Sequence, residues 1–253
     1  EGTAMKTCIY ATGRKAAKAA AAAAARELCS YIAEQGHAVF MAATGSSQIQ
    51  FLQYLTQDRQ IDWSKTTMFH LDEYIGLSEY HPASFRRYLQ ERFIKHAKPA
   101  EVHLINGNTV SPEAECDRLE RLIKKYSLDI AFVGIGENAH LAFNDPPADF
   151  KTPKAFKVVR MDEACRLQQV NEGWFESVDE VPVRAITVTI NQILKAKSII
   201  CTVPGERKAE AVKCTVDAPI RNSCPASVLR THGNTKVFLD TESAARLNQS
   251  VLR

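Results

Sequence analysis

Four side chains suited to acid–base or hydrogen-bonding chemistry, Asn138, His140, Asn144 and Asp145, fall within eight positions of one another. They follow directly on the apolar run Ile130-Ala131-Phe132-Val133, which ends at Gly134-Ile135-Gly136. A short apolar run bounded by glycines is the pattern of a buried strand that stops where the backbone must come close to something. A histidine placed there moves protons near neutral pH. Asp145 can hold one ring nitrogen of His140 and so fix which tautomer the other nitrogen presents. The competing reading is a polar turn whose Asn and Asp side chains satisfy their own backbone. A second stretch has the same form: residues 66–71 are an apolar strand pattern that delivers Asp72, Glu73 and Tyr74 ahead of a turn at Gly76. Successive side chains leaving an extended strand point to opposite sides, so only one of Asp72 and Glu73 can face a pocket directly.

Stepping outward from these groups, strand and helix patterns alternate along the chain. Residues 6–11 read as a strand and 14–34 as a long alanine-rich helix, with Leu28, Tyr31 and Ile32 on one face and Gly36 as its stop. Residues 37–43 form the next strand pattern and run into Thr44-Gly45-Ser46-Ser47 before the helical spacing of Ile49, Leu52 and Leu55. A small-residue turn between strand and helix points backbone N–H groups and hydroxyls at one spot near a positive helix end, which suits a phosphate. The plainer reading of such a turn is an N-cap. A helix is expected from about residue 85, a short strand at 102–105, and a helix opened by Ser111 and Pro112. Residues 156–161 and 185–190 alternate like strands around a less regular segment at 166–181, and 198–203 is a fully apolar strand ending in Pro204-Gly205. Lys208 follows in the first turn of the next helix, within reach of the strand end. Residues 236–239 close the sheet, and 241–252 look helical. Five or more strands alternating with helices predict a Rossmann-like three-layer α/β fold with a mostly parallel sheet flanked by helices. Open sheets of this kind place ligands outside the carboxyl ends of their strands, where all the groups named above fall. A dinucleotide is not expected, since Ala139 fills the third glycine slot of the pattern begun by Gly134 and Gly136.

Composition excludes several classes. With 253 residues, of which 45% are hydrophobic, the chain is long enough for one large α/β domain, expected over residues 5–253. Residues 1–4 precede Met5, which reads as a natural start ahead of an apolar strand, and are left outside that domain. A net charge of +3 with interspersed signs gives no basic stripe for nucleic acid. No apolar segment approaches the roughly 20 residues of a membrane helix. Seven cysteines without a C-x-x-C pair, several inside apolar runs, are the usage of reduced, buried thiols, and a soluble cytoplasmic protein is expected.

The Leu71-Asp72-Glu73-Tyr74 run together with Gly134-Ile-Gly-Glu-Asn-Ala-His-Leu-Ala-Phe-Asn-Asp-Pro146 resembles the glucosamine-6-phosphate deaminase (isomerase) family, which is related to the 6-phosphogluconolactonases. The resemblance continues in order through Thr44-Gly45-Ser46-Ser47, Val203-Pro204-Gly205-Glu206-Arg207-Lys208-Ala209 and Pro225-Ala226-Ser227-Val228-Leu229. It implies conversion of an amino-sugar 6-phosphate, glucosamine 6-phosphate, to fructose 6-phosphate and ammonia, with neither metal nor organic cofactor. Asp72 is then the base working on carbon, in a cleft dry enough to raise its pKa. His140 shuttles the proton at the ring oxygen, with Asp145 and Asn138 beside it. Thr44, Gly45, Ser46, Ser47, Glu73, Gly136 and Lys208 surround the substrate and its phosphate. The partner is a phosphorylated amino sugar, and homo-oligomer and monomer both stay open. The chain departs from the family in carrying Asn138 for an aspartate, Ala139 for a glycine and Asp145 for a glutamate. The segment in which the family supplies a phosphate-binding arginine reads Asn171-Glu172-Gly173-Trp174-Phe175, leaving Arg160, Arg166 and Arg207 as candidates to replace it. The alternatives are a 6-phosphogluconolactonase-type hydrolase and a non-catalytic sugar-phosphate-binding protein. Against the first, Tyr74 stands where lactonases carry arginine, and Asn144-Asp145 where they carry serine-leucine; against the second, Asp72 and His140 are both retained.

Overall fold

A computed structural model describes residues 5–248. Ten strands run through it: β1 (Lys6–Tyr10), β2 (Ala38–Ala42), β3 (Thr66–His70), β4 (Asp72–Tyr74), β5 (Glu101–His103), β6 (Ile130–Val133), β7 (Phe156–Arg160), β8 (Arg184–Val188), β9 (Ser198–Val203) and β10 (Thr235–Asp240). The helices are α1 (Gly13–Gln35), α2 (Ile49–Gln57), α3 (Phe85–Leu89), which continues through one π-turn into α4 (Lys95–Ala97), α5 (Pro112–Ile123), α6 (Glu163–Asn171), α7 (Ile190–Ile193) and α8 (Ala209–Val216).

Seven strands form a parallel sheet in the order β1-β10-β9-β6-β2-β3-β5. Its central strands are buried on both faces, as a parallel sheet covered by helices requires. In β2, Val39 and Met41 enter one apolar cluster while Ala38, Phe40 and Ala42 enter the other. The polyalanine stretch of α1 is a flat face on the second cluster, where Ala16, Ala17, Ala20, Ala24 and Leu28 pack with Phe40, Phe51, Phe132 and Phe238. Small side chains on the helix leave room for the large rings rising from the sheet, which keeps the layer close-packed. Helix α1 is capped by Thr12, whose hydroxyl accepts from Lys15 N, and stops at Gly36 with φ 78°.

The sheet order reverses between β2 and β6: the chain after β2 moves out through β3 to β5, and the chain after β6 moves the other way through β9 to β10. Strand β10 takes the expected residues 236–239 as the last strand of the chain to join the sheet, and it lies second from the edge, with β1 outside it. The strand patterns at 156–161 and 185–190 are real, but they lie in a separate three-stranded antiparallel sheet, β4-β8-β7, in which β8 pairs with β4 on one side and β7 on the other. Residues 241–246 form turns and 247–248 are irregular where a helix was expected over 241–252, and its remaining positions, 249–252, lie outside the described residues. One cysteine expectation is also corrected. Cys214 and Cys224 are joined, their Cα atoms 6.3 Å apart, because the end of α8 and the turn before Pro225 converge across ten positions of sequence, a spacing no short cysteine motif announces.

The alanine face of α1 makes a direct prediction. Ala24 is fully buried and Ala22 is exposed. Ala24→Leu should lower unfolding free energy in urea by about 1–3 kcal/mol through overpacking, while Ala22→Leu should stay within about 0.5 kcal/mol of the parent.

Candidate active site

The loops leaving β2 and β6 diverge at the sheet reversal, and a cleft of about 510 Å³, counted to its open mouth, lies between them. Thr44, Gly45, Ser46 and Ser47 line one end with Lys208; Asp72, Gly136 and His140 line it together with Phe85, Phe143, Gln168, Gln169 and Glu172. Gly45 and Gly205 both stand at φ 94°, and each opens a 3-10 turn that leads into a helix, α2 in one case and α8 in the other. Lys208 ends the second of these turns, lines the cleft and is 7% exposed. Burial lowers its pKa, with Glu172 and Glu137 acting in the opposite sense.

Gly136 has a second, steric task beside lining the cleft. A Cβ there would stand 2.1 Å from Cε1 of His140, so only glycine lets the imidazole lie against this turn. Nδ1 of His140 lies 2.7 Å from Asn138 Oδ1 and 3.3 Å from Asp145 Oδ1. The Asn138 amide also donates through Nδ2 to Asp145 Oδ1 at 3.2 Å, which turns its oxygen toward the imidazole. Both neighbours of Nδ1 are then acceptors, so Nδ1 carries a proton and Nε2 is left for the cleft. Burial pushes the Asp145 carboxyl up, but its bond to and the charge of His140, with the Asp162 N–H at 2.9 Å and Asn138, hold it below the usual range. Asn144 turns inward, and its amide donates to the carbonyls of Leu141 and Val188 at 2.8 Å. Cys165 completes a group with His140 and Asp145 whose ligand atoms lie within 4.8 Å of one another, the one such trio among the described residues. The imidazole nitrogen turned toward Asp145 is already engaged by Asn138.

Asp72 begins β4, immediately past the end of β3, and is 6% exposed. Burial, reinforced by the neighbouring Glu73 charge, raises its pKa to about 8. Glu73 does not face the cleft, contrary to its expected place at the substrate. Strand alternation turns it to the other side, where it accepts from Tyr74 N, Ser84 Oγ, Phe85 N and Arg86 N at 2.8–3.2 Å and pairs with Arg86 Nε at 3.3 Å. It is thereby the anchor of the α3 N-terminus. None of the three candidate arginines lines the cleft. Arg166 donates to the carbonyls of Val178 and Val181, Arg207 pairs with Glu137 at 3.5 Å, and Arg160 borders a separate groove beside Asp145 and Asp162.

The groups that sequence reasoning missed come mainly from α6 and its C-terminus. Gln169 accepts from the Tyr74 hydroxyl at 2.9 Å, and Gln168 accepts from Glu137 N at 2.9 Å while donating to Glu172 at 2.7 Å. Glu172 Oε2 accepts from Trp174 Nε1 at 3.2 Å and from Ser46 N at 3.4 Å.

An open α/β sheet with an oriented histidine and a raised carboxyl facing one switch-point cleft defines an acid–base enzyme for a small polar ligand. The family model for glucosamine-6-phosphate isomerases/6-phosphogluconolactonase matches residues 11–238. The chain belongs to that family. It is 38% identical over 213 residues to a glucosamine-6-phosphate deaminase of Exiguobacterium sibiricum, covering 83% of this chain and 82% of the relative. It is 37% identical over 228 residues to glucosamine-6-phosphate deaminase 1 of Bacillus subtilis, covering 88% and 93%. A solved monomeric glucosamine-6-phosphate deaminase superposes with a TM-score of 0.87 at 33% identity, over 95% of this chain and 99% of the other. A 6-phosphogluconolactonase from Shewanella baltica superposes at 0.77 with 19% identity, over 94% and 97%, and shares the fold.

The raised carboxyl of Asp72 links the site to stability. Its pKa is about 8 in the folded chain against an ordinary 3.8, so between those values the native state holds a proton that the unfolded chain has released. Its contribution is therefore fully present below about pH 4 and is lost as pH rises through about 8. The melting temperature of Asp72→Asn relative to the parent should climb between pH 5 and pH 8.5; a difference independent of pH would contradict the burial of an ionisable Asp72.

Proposed function

We propose that the chain isomerises and deaminates an amino-sugar 6-phosphate, taking glucosamine 6-phosphate to fructose 6-phosphate and ammonia. The observation that carries this reading is the convergence of Asp72 and His140 on one cleft whose other end is the Thr44–Ser47 turn and Lys208. His140 Nε2 moves the proton at the ring oxygen as the pyranose opens to the aldehyde. Asp72 then takes the C2 proton, leaving an enolamine across C1 and C2, and returns a proton to C1. The resulting C2 imine adds water and expels ammonia, so the ketose gains the oxygen of one water and loses the nitrogen. Each positioned proton transfer contributes on the order of 10²- to 10⁴-fold. In this scheme Asn138 and Asp145 are positioning residues: they hold the imidazole and its tautomer without touching the sugar.

The same reading accounts for the polar character of the cleft. The amides of Gln168 and Gln169 and the backbone of the Gly134–Gly136 turn are groups that bind sugar hydroxyls, and Phe85 and Phe143 offer apolar surface to a sugar face. The Ser46–Ser47 backbone and Lys208 receive the phosphate end. Five free cysteines, three of them buried, support a cytoplasmic setting and the Cys214–Cys224 bond weighs against it; among the described residues no helix is long and apolar enough to cross a membrane.

Ammonia release across a panel of gluco- and galacto-configured amino-sugar phosphates, with 6-phosphogluconolactone as the contrast, tests the assignment. Ammonia from an amino sugar is expected, and lactone hydrolysis without it would overturn the reading. Because a base acts only when ionised, kcat/KM should rise with pH through about 8, the Asp72 value. His140→Gln should lose most of its rate on the cyclic sugar and recover part of it on an open-chain analogue.

A further inference from the structure

The end of the cleft that offers an anion its N–H donors already holds one. Glu172, the residue that ends α6, turns its carboxylate into the Thr44–Ser47 turn: Oε2 accepts from Ser46 N at 3.4 Å and from Trp174 Nε1 at 3.2 Å, and Oε1 accepts from Gln168 Nε2 at 2.7 Å. Although burial works to raise its pKa, the Lys208 charge and the donors from Gln168, Ser46 and Trp174 hold it below the usual range, so it stays a carboxylate at neutral pH. The groove that adjoins this end adds Arg14, Glu206 and Asp240 to Lys208 and the Arg207–Glu137 pair, and Lys208 is the cation whose charge acts on Glu172. The Lys208 charge is thus matched by the Glu172 carboxylate, and Ser46 N, one of the N–H groups that would receive a phosphate oxygen, already has an acceptor.

We propose that Glu172 is a specificity-determining residue that levels the preference of this site for a phosphorylated over an unphosphorylated amino sugar. A dianionic phosphate entering between Ser46 and Lys208 must displace the carboxylate from Ser46 N and remain beside it. At the effective dielectric of a partly buried site, one unit charge beside a dianion a few ångströms away changes affinity by more than tenfold. An uncharged hydroxymethyl end meets no such repulsion, since it can donate to Glu172 and accept from Lys208 in place. Gln168 and Trp174 hold Glu172 from two sides, so the carboxylate is an arranged part of the subsite and not a free side chain that solvent would draw away. The inference rests on the amino-sugar reading for the identity of the ligands, while its mechanism concerns only the charge at the distal end.

The test is calorimetric titration of the full chain with glucosamine 6-phosphate, glucosamine and inorganic phosphate, for the parent, Glu172→Gln and Glu172→Ala. Glutamine keeps the shape and can still accept from Trp174, so it removes the charge with the least disturbance, and thermal melts establish that both variants are folded. The ratio of the two sugar affinities should move at least tenfold toward the phosphorylated sugar in Glu172→Gln, with inorganic phosphate tightening in parallel and Glu172→Ala moving in the same direction. A smaller movement, a movement toward the unphosphorylated sugar, or no binding of any of the three ligands to parent and variants would overturn the proposal. Absence of ammonia release from sugars that bind, with the tenfold movement present, would instead overturn the deaminase reading and leave the role of Glu172 standing.

Discussion

Two adjacent parallel strands whose following connections run to opposite sides cannot close the space between their carboxyl ends, and β2 and β6 are such a pair. Right-handed crossovers make this divergence unavoidable once the strand order reverses. Everything chemical in the molecule hangs on that opening. The turn after β2 brings backbone donors to it, the turn after β6 brings His140, the end of β3 brings Asp72, and the turn after β9 brings Lys208. The helices and the aromatic packing under α1 hold those strand ends in register, so the site inherits its rigidity from the core.

Strand alternation divides two neighbouring carboxylates between two tasks. Asp72 faces the cleft with no hydrogen-bond donor among the described residues to stabilise its charge, and burial raises its pKa. Glu73 faces away and gathers donors from the first turn of α3 together with Arg86, fixing the helix that carries Phe85 into the cleft wall. One residue keeps a proton that chemistry can use, and its neighbour is held as part of the scaffold. The division also explains how the pair tolerates adjacency: the Glu73 charge is compensated locally and raises Asp72 only as a secondary effect.

The strands, the long alanine helix and the His140–Asp145 cluster were legible because each rests on a local signal, an apolar run, a glycine turn or a capping residue, whereas the choice of Asp72 over Glu73 and of Lys208 came from the family resemblance. Asn138 was legible as a polar neighbour of His140, and its hydrogen bonds to both His140 and Asp145 were not. Helix α6 escaped because its buried face carries Cys165, Gln168 and Gln169, so it turns polar side chains to the interior and shows no apolar stripe. Glu172 escaped with it, since a carboxylate that meets Ser46 from 126 positions away leaves no trace in local pattern. The placement of β7 and β8 in a second sheet was likewise hidden. Alternation identifies a strand, but the partner β4 is three residues long and lies far from both in sequence.

The central claim is that Asp72 moves a proton between two adjacent carbons of an amino sugar. Running the reaction in heavy water and reading the recovered ketose by NMR tests it most directly. The parent should place deuterium at C1, and Asp72→Asn, which keeps the shape and removes the proton acceptor, should form labelled ketose slower by at least roughly 10². Labelled ketose appearing at a comparable rate from Asp72→Asn would contradict the account and move the search for the base to another group in the cleft.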